Sequence, residues 1–126
     1  MRAVDTNVLV RLLVRDDAAQ VTAAEAFVEN GAWLSHLVLV ETLWVLDAVY
    51  ERKSDQVAMA VDLLLNHTSL TVQDADVVTL ALEAYRNRPS LGFSDCLILE
   101  IARRAGHVPL GTFDKNLAKL DDTLGL

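Results

Sequence analysis

The 126 residues contain a single cysteine, Cys96, so the chain cannot close an internal disulfide, and a lone thiol fits a reducing compartment. Two prolines and five glycines are too few for a low-complexity chain, and no tandem repeat, Ser/Gly linker or shift in composition divides it. Aromatic residues make up 6%, and no interleaving with basic residues suggests a platform for stacking single strands. Trp33, Trp44, Phe27 and Phe113 are read instead as core or interface. Basic residues are in the minority, 11 against 18 acids, and a formal charge of −7 argues against tight metal-free binding of a polyanion. The longest apolar region, residues 34–49, is broken by Ser35, His36, Glu41, Thr42 and Asp47. It falls short of the roughly 20 residues that cross a bilayer. The N-terminus shows no charged-then-apolar leader with a cleavage site. The expectation is a cytoplasmic protein with no membrane anchor.

What the chain does have is apolar content: 52% hydrophobic residues, enough at this length for one core and a subunit interface. A single domain over residues 1–126 is expected. Short apolar runs at residues 2–4, 32–35, 70–72 and 108–110 read as strands. Between them, helices are expected at about 7–14, 17–30, 38–51, 54–66, 76–86 and 94–105. Asp17 and Ser54 are placed as N-caps, and Gly31 and Gly106 suit helix C-termini. Val21, Ala24, Phe27 and Val28 share one face, as do Val57, Ala60, Val61, Leu64 and Leu65. In the last helix the stripe reads Leu97, Ile98, Ile101, Ala102 and Ala105. Strands alternating with helices predict an α/β fold with a mostly parallel central sheet covered on both faces.

Four acids sit at the edges of apolar segments: Asp5, Glu41, Asp95 and Asp114. A bare carboxylate in such surroundings must be solvated, neutralised or partnered, so these four are expected to face inward on a common site. Asp5 and Asp114 each follow a strand, the edge where parallel sheets bind ligands. Glu41 and Asp95 lie early in helices that leave the same edge. Two carboxylates about 4 Å apart repel by roughly 4 kcal/mol at an effective dielectric near 20, so four together require cations. Oxygen-only donors select a hard ion, Mg²⁺ or Mn²⁺, and His36, His67 and His107 form no zinc pattern. Such ions bind phosphate oxygens and activate water for phosphodiester hydrolysis. Thr6, Asn7, Ser94 and Thr112 border the acids, where they would orient water or phosphate.

The segments Ala3-Val4-Asp5-Thr6-Asn7-Val8-Leu9-Val10-Arg11, Leu39-Val40-Glu41-Thr42-Leu43-Trp44-Val45-Leu46, Phe93-Ser94-Asp95-Cys96-Leu97-Ile98 and Thr112-Phe113-Asp114-Lys115 closely resemble the PIN-domain ribonucleases. The closest resemblance is to VapC-type toxins of bacterial and archaeal toxin–antitoxin pairs. It is collinear over essentially the whole chain. The resemblance implies a three-layer α/β/α sandwich and an Mg²⁺- or Mn²⁺-dependent endoribonuclease. It also implies a homodimer and inhibition by a VapB-type antitoxin. By motif position Asp5, Glu41 and Asp95 look like the metal-ligating acids, and Asp114 like a more variable fourth.

Each acid also has a plainer reading. Asp5 serves as a helix cap, Glu41 as a solvated or ion-paired helix residue, Asp95 as a charge complementing a helix N-terminus, and Asp114 as a turn residue. Their ordered joint occurrence favours the metal site. Cys96 reads as a small buried residue rather than a nucleophile. Arg11, Arg15, Arg86, Arg88 and Lys115 read as solvated surface charge. Two rival functions are a phosphoacceptor receiver domain, which needs paired acids after its first strand where Asp5 stands alone, and a non-catalytic interaction module. A metal-dependent phosphatase is weaker, because Asn7 stands where its nucleophile motif has a second Asp.

Overall fold

The structure, a computed structural model, describes residues 1–126. The chain divides into two compact units, Met1–Ala75 and Asp76–Leu126.

In the first unit, β1 (Arg2–Ala3), β2 (Ala32–Leu34) and β3 (Leu70–Val72) form a parallel sheet in the order β1-β2-β3. Arg2 pairs with Ala32, and Ala32 in turn with Leu70. Helices α1 (Thr6–Val14) and α2 (Ala18–Val28) connect β1 to β2, while α3 (His36–Ala48) and α4 (Ser54–Asn66) connect β2 to β3. Each helix starts where a local acceptor satisfies its free amides. Asp5 accepts from Val8 N, Asp17 from Gln20 N and Ser35 from Val38 N. Ser35 is why α3 begins at His36, two residues before the expected start. The N-cap of α4 is Lys53 and not Ser54: the Gln56 side chain reaches back to the Lys53 backbone N–H at 3.0 Å. Gly31, at φ 98°, makes the left-handed turn from α2 into β2.

Burial in α2 and α4 follows the expected faces. Val21, Ala24 and Val28 are buried with Phe27 half-buried, and Val57, Ala60, Val61 and Leu64 are buried with Leu65 half-buried. Helix α3 is apolar on nearly every side, yet it buries only the stripe Leu39, Thr42, Leu43 and Leu46. Trp44 and Leu37 on the opposite face are 66% and 70% exposed. Trp44 is therefore not core, and neither are Trp33 and Phe113, which are also exposed.

The second unit follows α5 (Ala75–Asn87) with α6 (Phe93–Ala105), β4 (Leu110–Thr112), a 3₁₀ turn at Leu117–Lys119 and β5 (Thr123–Gly125). Strands β4 and β5 pair in parallel, Leu110 with Thr123. Strand β4 begins two residues later than expected, because Pro109 has no N–H to donate and the ladder opens with Leu110 N bonding Asp122 O at 2.8 Å. Strand β5 was not expected. Three residues, one of them glycine, carry no readable alternation.

The buried stripe of α6 also differs. Phe93, Cys96, Leu97, Leu99 and Glu100 are buried, whereas Ile98 and Ile101 are 51% and 38% exposed. Positions 93, 96, 97 and 100 form a helical stripe as regular as the expected one, and Glu100 tolerates burial because Arg103 holds its carboxylate at 2.5 Å. Arg103 also bonds Asp122 Oδ2 at 3.0 Å and Asp121 O at 2.8 Å, tying α6 to the approach to β5.

Candidate active site

Asp5 lies just beyond β1 in an extended conformation (φ −99°, ψ −177°), and its Oδ1 caps α1 through Val8 N at 3.2 Å. Its neighbour Thr6, first in α1, donates its hydroxyl to Glu41 Oε2 at 2.6 Å. One hydrogen bond thus brings Glu41, more than thirty residues away, to the start of α1. Helix α3 is held for this by its first turn: His36 N donates to Gln73 Oε1 at 2.9 Å, and His36 Nε2 lies 2.8 Å from Gln73 O. The helix carrying Glu41 is therefore locked at its first residue to the end of β3. Sequence reading missed the His36–Gln73 clamp, because nothing in two polar residues 37 apart marks them as partners.

In the second unit, Asp95 sits in the first turn of α6 and is half-buried, as is Ser94. Asp114 follows β4, and its Oδ1 accepts from Asn116 N at 2.8 Å and Leu117 N at 3.1 Å, capping the 3₁₀ turn. Thr112 Oγ1 accepts from Asp114 N at 3.0 Å, which fixes the approach of that acid.

The expectation of inward-facing carboxylates is corrected. Asp5, Glu41 and Asp114 are exposed and Asp95 is only half-buried. In α3 the buried stripe Leu39, Thr42, Leu43 and Leu46 faces the core and leaves Glu41 in water, while Asp5 and Asp114 stand in the connections that follow β1 and β4. Asn7 is exposed and Thr6 half-buried. No group of three or more His, Cys, Asp or Glu side chains is gathered closely enough to hold a metal ion. The structure does gather Asp5, Thr6 and Glu41 in the first unit, and in the second it places Asp95 in the first turn of α6 and Asp114 between β4 and the 3₁₀ turn.

The donor set suits a hard divalent ion. All four side chains offer carboxylate oxygens, none is drawn into the ion pairs that occupy Asp16, Glu25, Asp76, Glu100 and Asp122, and Asp5 and Glu41 each spend only one oxygen on a protein hydrogen bond. Cys96, next to Asp95, is inert. Burial, with a smaller contribution from the Asp95 charge, raises its thiol to about 11, so it stays protonated at neutral pH.

A sequence model of the PIN domain matches residues 2–123. The chain belongs to the PIN domain family. Its fold is accordingly the PIN fold, of α/β class with parallel strands, and the four acid-bearing segments all fall inside the matched part of this PIN domain. Among solved structures it is similar to VapC20 of Mycobacterium tuberculosis, a Sarcin-Ricin loop cleaving toxin. Identity is 20%, coverage 98% of this chain and 97% of that one, and the TM-score 0.44. A likeness that distant says nothing of what this PIN domain cleaves. No curated protein matches it in sequence. No helix is long and apolar enough to cross a membrane.

Proposed function

We propose that residues 1–126 form one PIN domain that acts as an Mg²⁺- or Mn²⁺-dependent endoribonuclease, the toxin of a VapBC-type toxin–antitoxin pair. Asp5, Glu41, Asp95 and Asp114 are its metal-ligating acids. The observation that carries this reading is the Thr6 hydroxyl on Glu41, which sets a second carboxylate beside the residue that follows Asp5. Family membership supports it over the phosphoacceptor reading, and the oxygen-only donor set supports Mg²⁺ or Mn²⁺ over zinc.

In this reading each protein group has a defined task. The bound ion supplies a Lewis acid and an activated water for attack on phosphorus. Asp5 contributes the oxygen that is not engaged by Val8, and its backbone is fixed by the cap it makes. Thr6 turns the Glu41 carboxylate so that one oxygen is spent on the hydroxyl and the other faces outward. Asn7, Ser94 and Thr112 border the acids as hydrogen-bonding groups for water or phosphate. The exposure of Asp5, Asn7 and Glu41 leaves a polymeric substrate free access.

The exposed apolar side chains Leu37 and Trp44 on α3 support a homodimer. A groove of about 720 Å³ floored by Leu12, Leu13, Leu64 and Leu70 supports a peptide partner such as a VapB-type antitoxin. Cytoplasmic placement follows from this role.

The decisive experiment is RNA cleavage with Mn²⁺ by Asp5→Asn and Glu41→Gln. Asn keeps an oxygen to cap α1, so Asp5→Asn should fold normally by circular dichroism and lose cleavage by about a hundredfold or more. Full activity in either folded variant sinks the assignment. An inactive wild type that binds no Mn²⁺ would instead favour the non-catalytic module.

A further inference from the structure

The groove between α1 and α2 has a lining that metal ligation does not use. It encloses about 480 Å³ and is bounded by Asn7, Val8 and Arg11 from α1 and by Gln20, Ala24 and Phe27 from α2. That volume falls in the range of small-molecule sites and suits one nucleoside rather than a packed helix.

Its polar groups lack partners in a telling way. Arg11 Nη1 is paired with Asp16 Oδ1 at 2.5 Å, and Asp16 also accepts the Tyr50 hydroxyl at 3.2 Å. Arg11 Nε, by contrast, is buried with no hydrogen-bond partner. A donor shut away from both water and protein keeps a standing free-energy cost, which is relieved when the side chain turns toward an incoming acceptor. The side-chain carboxamides of Asn7 and Gln20 make no hydrogen bond within the protein, and the Gln20 backbone N–H donates to Asp17 Oδ1. Each amide offers a donor and an acceptor, the combination that reads a base edge. Phe27 adds an aromatic wall, stiffened by the Arg2 guanidinium 3.7 Å from its ring centroid.

The groove also begins at the candidate site. Asn7 is the residue after Thr6, whose hydroxyl holds Glu41. A strand whose reactive phosphate lies at Asp5 and Glu41 therefore has its neighbouring nucleotide beside Asn7. A peptide is a poorer occupant, since the two side-chain amides of the lining, Asn7 and Gln20, suit the edge of a base.

We propose that this groove seats one unpaired base of the RNA substrate next to the cleaved bond. Asn7 and Gln20 read the base edge, and Arg11 swings its Nε–H onto a base or phosphate oxygen. The proposal rests on the ribonuclease reading of Asp5 and Glu41, and its test does not require cleavage.

The test is a titration of the ¹⁵N-labelled full chain, without metal, with each of the four ribonucleoside 5′-monophosphates. The side-chain amide signals of Asn7 and Gln20 and the Arg11 Nε–H signal are followed. Saturable shifts at these groups are expected, strongest for one or two of the bases. Gln20→Ala, checked as folded by its overlaid spectrum, should weaken that binding at least about fivefold and flatten the preference among bases. No saturable shift at these groups, or an unchanged preference in Gln20→Ala, overturns the proposal. Cleavage by the wild type with a silent groove refutes the groove alone. Groove binding without any cleavage by the wild type keeps the base site and sinks the ribonuclease reading.

Discussion

Thr6 does more for the candidate site than its size suggests. Its hydroxyl links the segment after β1 to Glu41, at 2.6 Å. Groups that orient metal-ligating carboxylates typically contribute about 10–100-fold in metal affinity. Thr6→Ala should therefore weaken Mn²⁺ binding by about that factor, measured by calorimetry, while Thr6→Ser restores most of it; equal affinity in wild type and Thr6→Ala would leave the hydroxyl without a role. Cys96 offers a separate check on burial. Its thiol is raised from 9.0 to about 11, with burial the larger cause and the Asp95 charge the smaller. At pH 8 the native protein should thus react with iodoacetamide about a hundredfold more slowly than the unfolded chain. Because the folded value is the higher one, this group's stabilising contribution is complete below pH 9.0 and is lost as pH rises through about 11. Equal alkylation rates in the two states would contradict the burial.

Helices α3 and α6 show how elements were read partly right. The existence of α3 follows from its apolar content and the Ser35 cap, that of α6 from its apolar content and the Gly106 stop, and both carry an acid where expected, Glu41 and Asp95. The face each buries was less legible. In α6 two stripes compete, and burial went to the one containing Phe93, Cys96 and Glu100, with Arg103 neutralising the buried acid. The end of α6 was clear from sequence, because Gly106 takes the left-handed conformation at φ 79° and donates its N–H to Ala102 O and Arg103 O. A Cβ there would meet open space, so Gly106→Ala isolates the backbone cost, about 1–2 kcal/mol in thermal or urea unfolding. An unchanged unfolding free energy would mean that the chain relaxes out of that conformation freely.

For the chain as a whole, the excess of acids resides mainly in Met1–Ala75, the unit that holds Asp5 and Glu41. Cleavage should therefore depend on divalent cation both for chemistry and to bring a polyanion to this surface. The exposed α3 face carries the prediction on assembly. Apolar side chains 66–70% exposed on one helix, Trp44 and Leu37, are costly in a monomer, so the wild type should sediment as a dimer at micromolar concentration. Trp44→Asp should shift it to monomer without unfolding it. A wild type that is monomeric throughout that range removes the dimer.

The order of strands and helices, the parallel character of the sheets and the family of the chain were all written in local signals: caps, periodicity, glycine turns and four ordered motifs. These depend on neighbours in sequence, so the sequence carries them. Exposure of the acids, the choice of buried stripe in α3 and α6, the short β5 and the His36–Gln73 clamp depended on partners far along the chain. Those pairings come from packing, where a helix that is apolar on several faces has more than one way to bury itself. For such segments only the tertiary contacts select the face that meets water, and with it where the carboxylates stand.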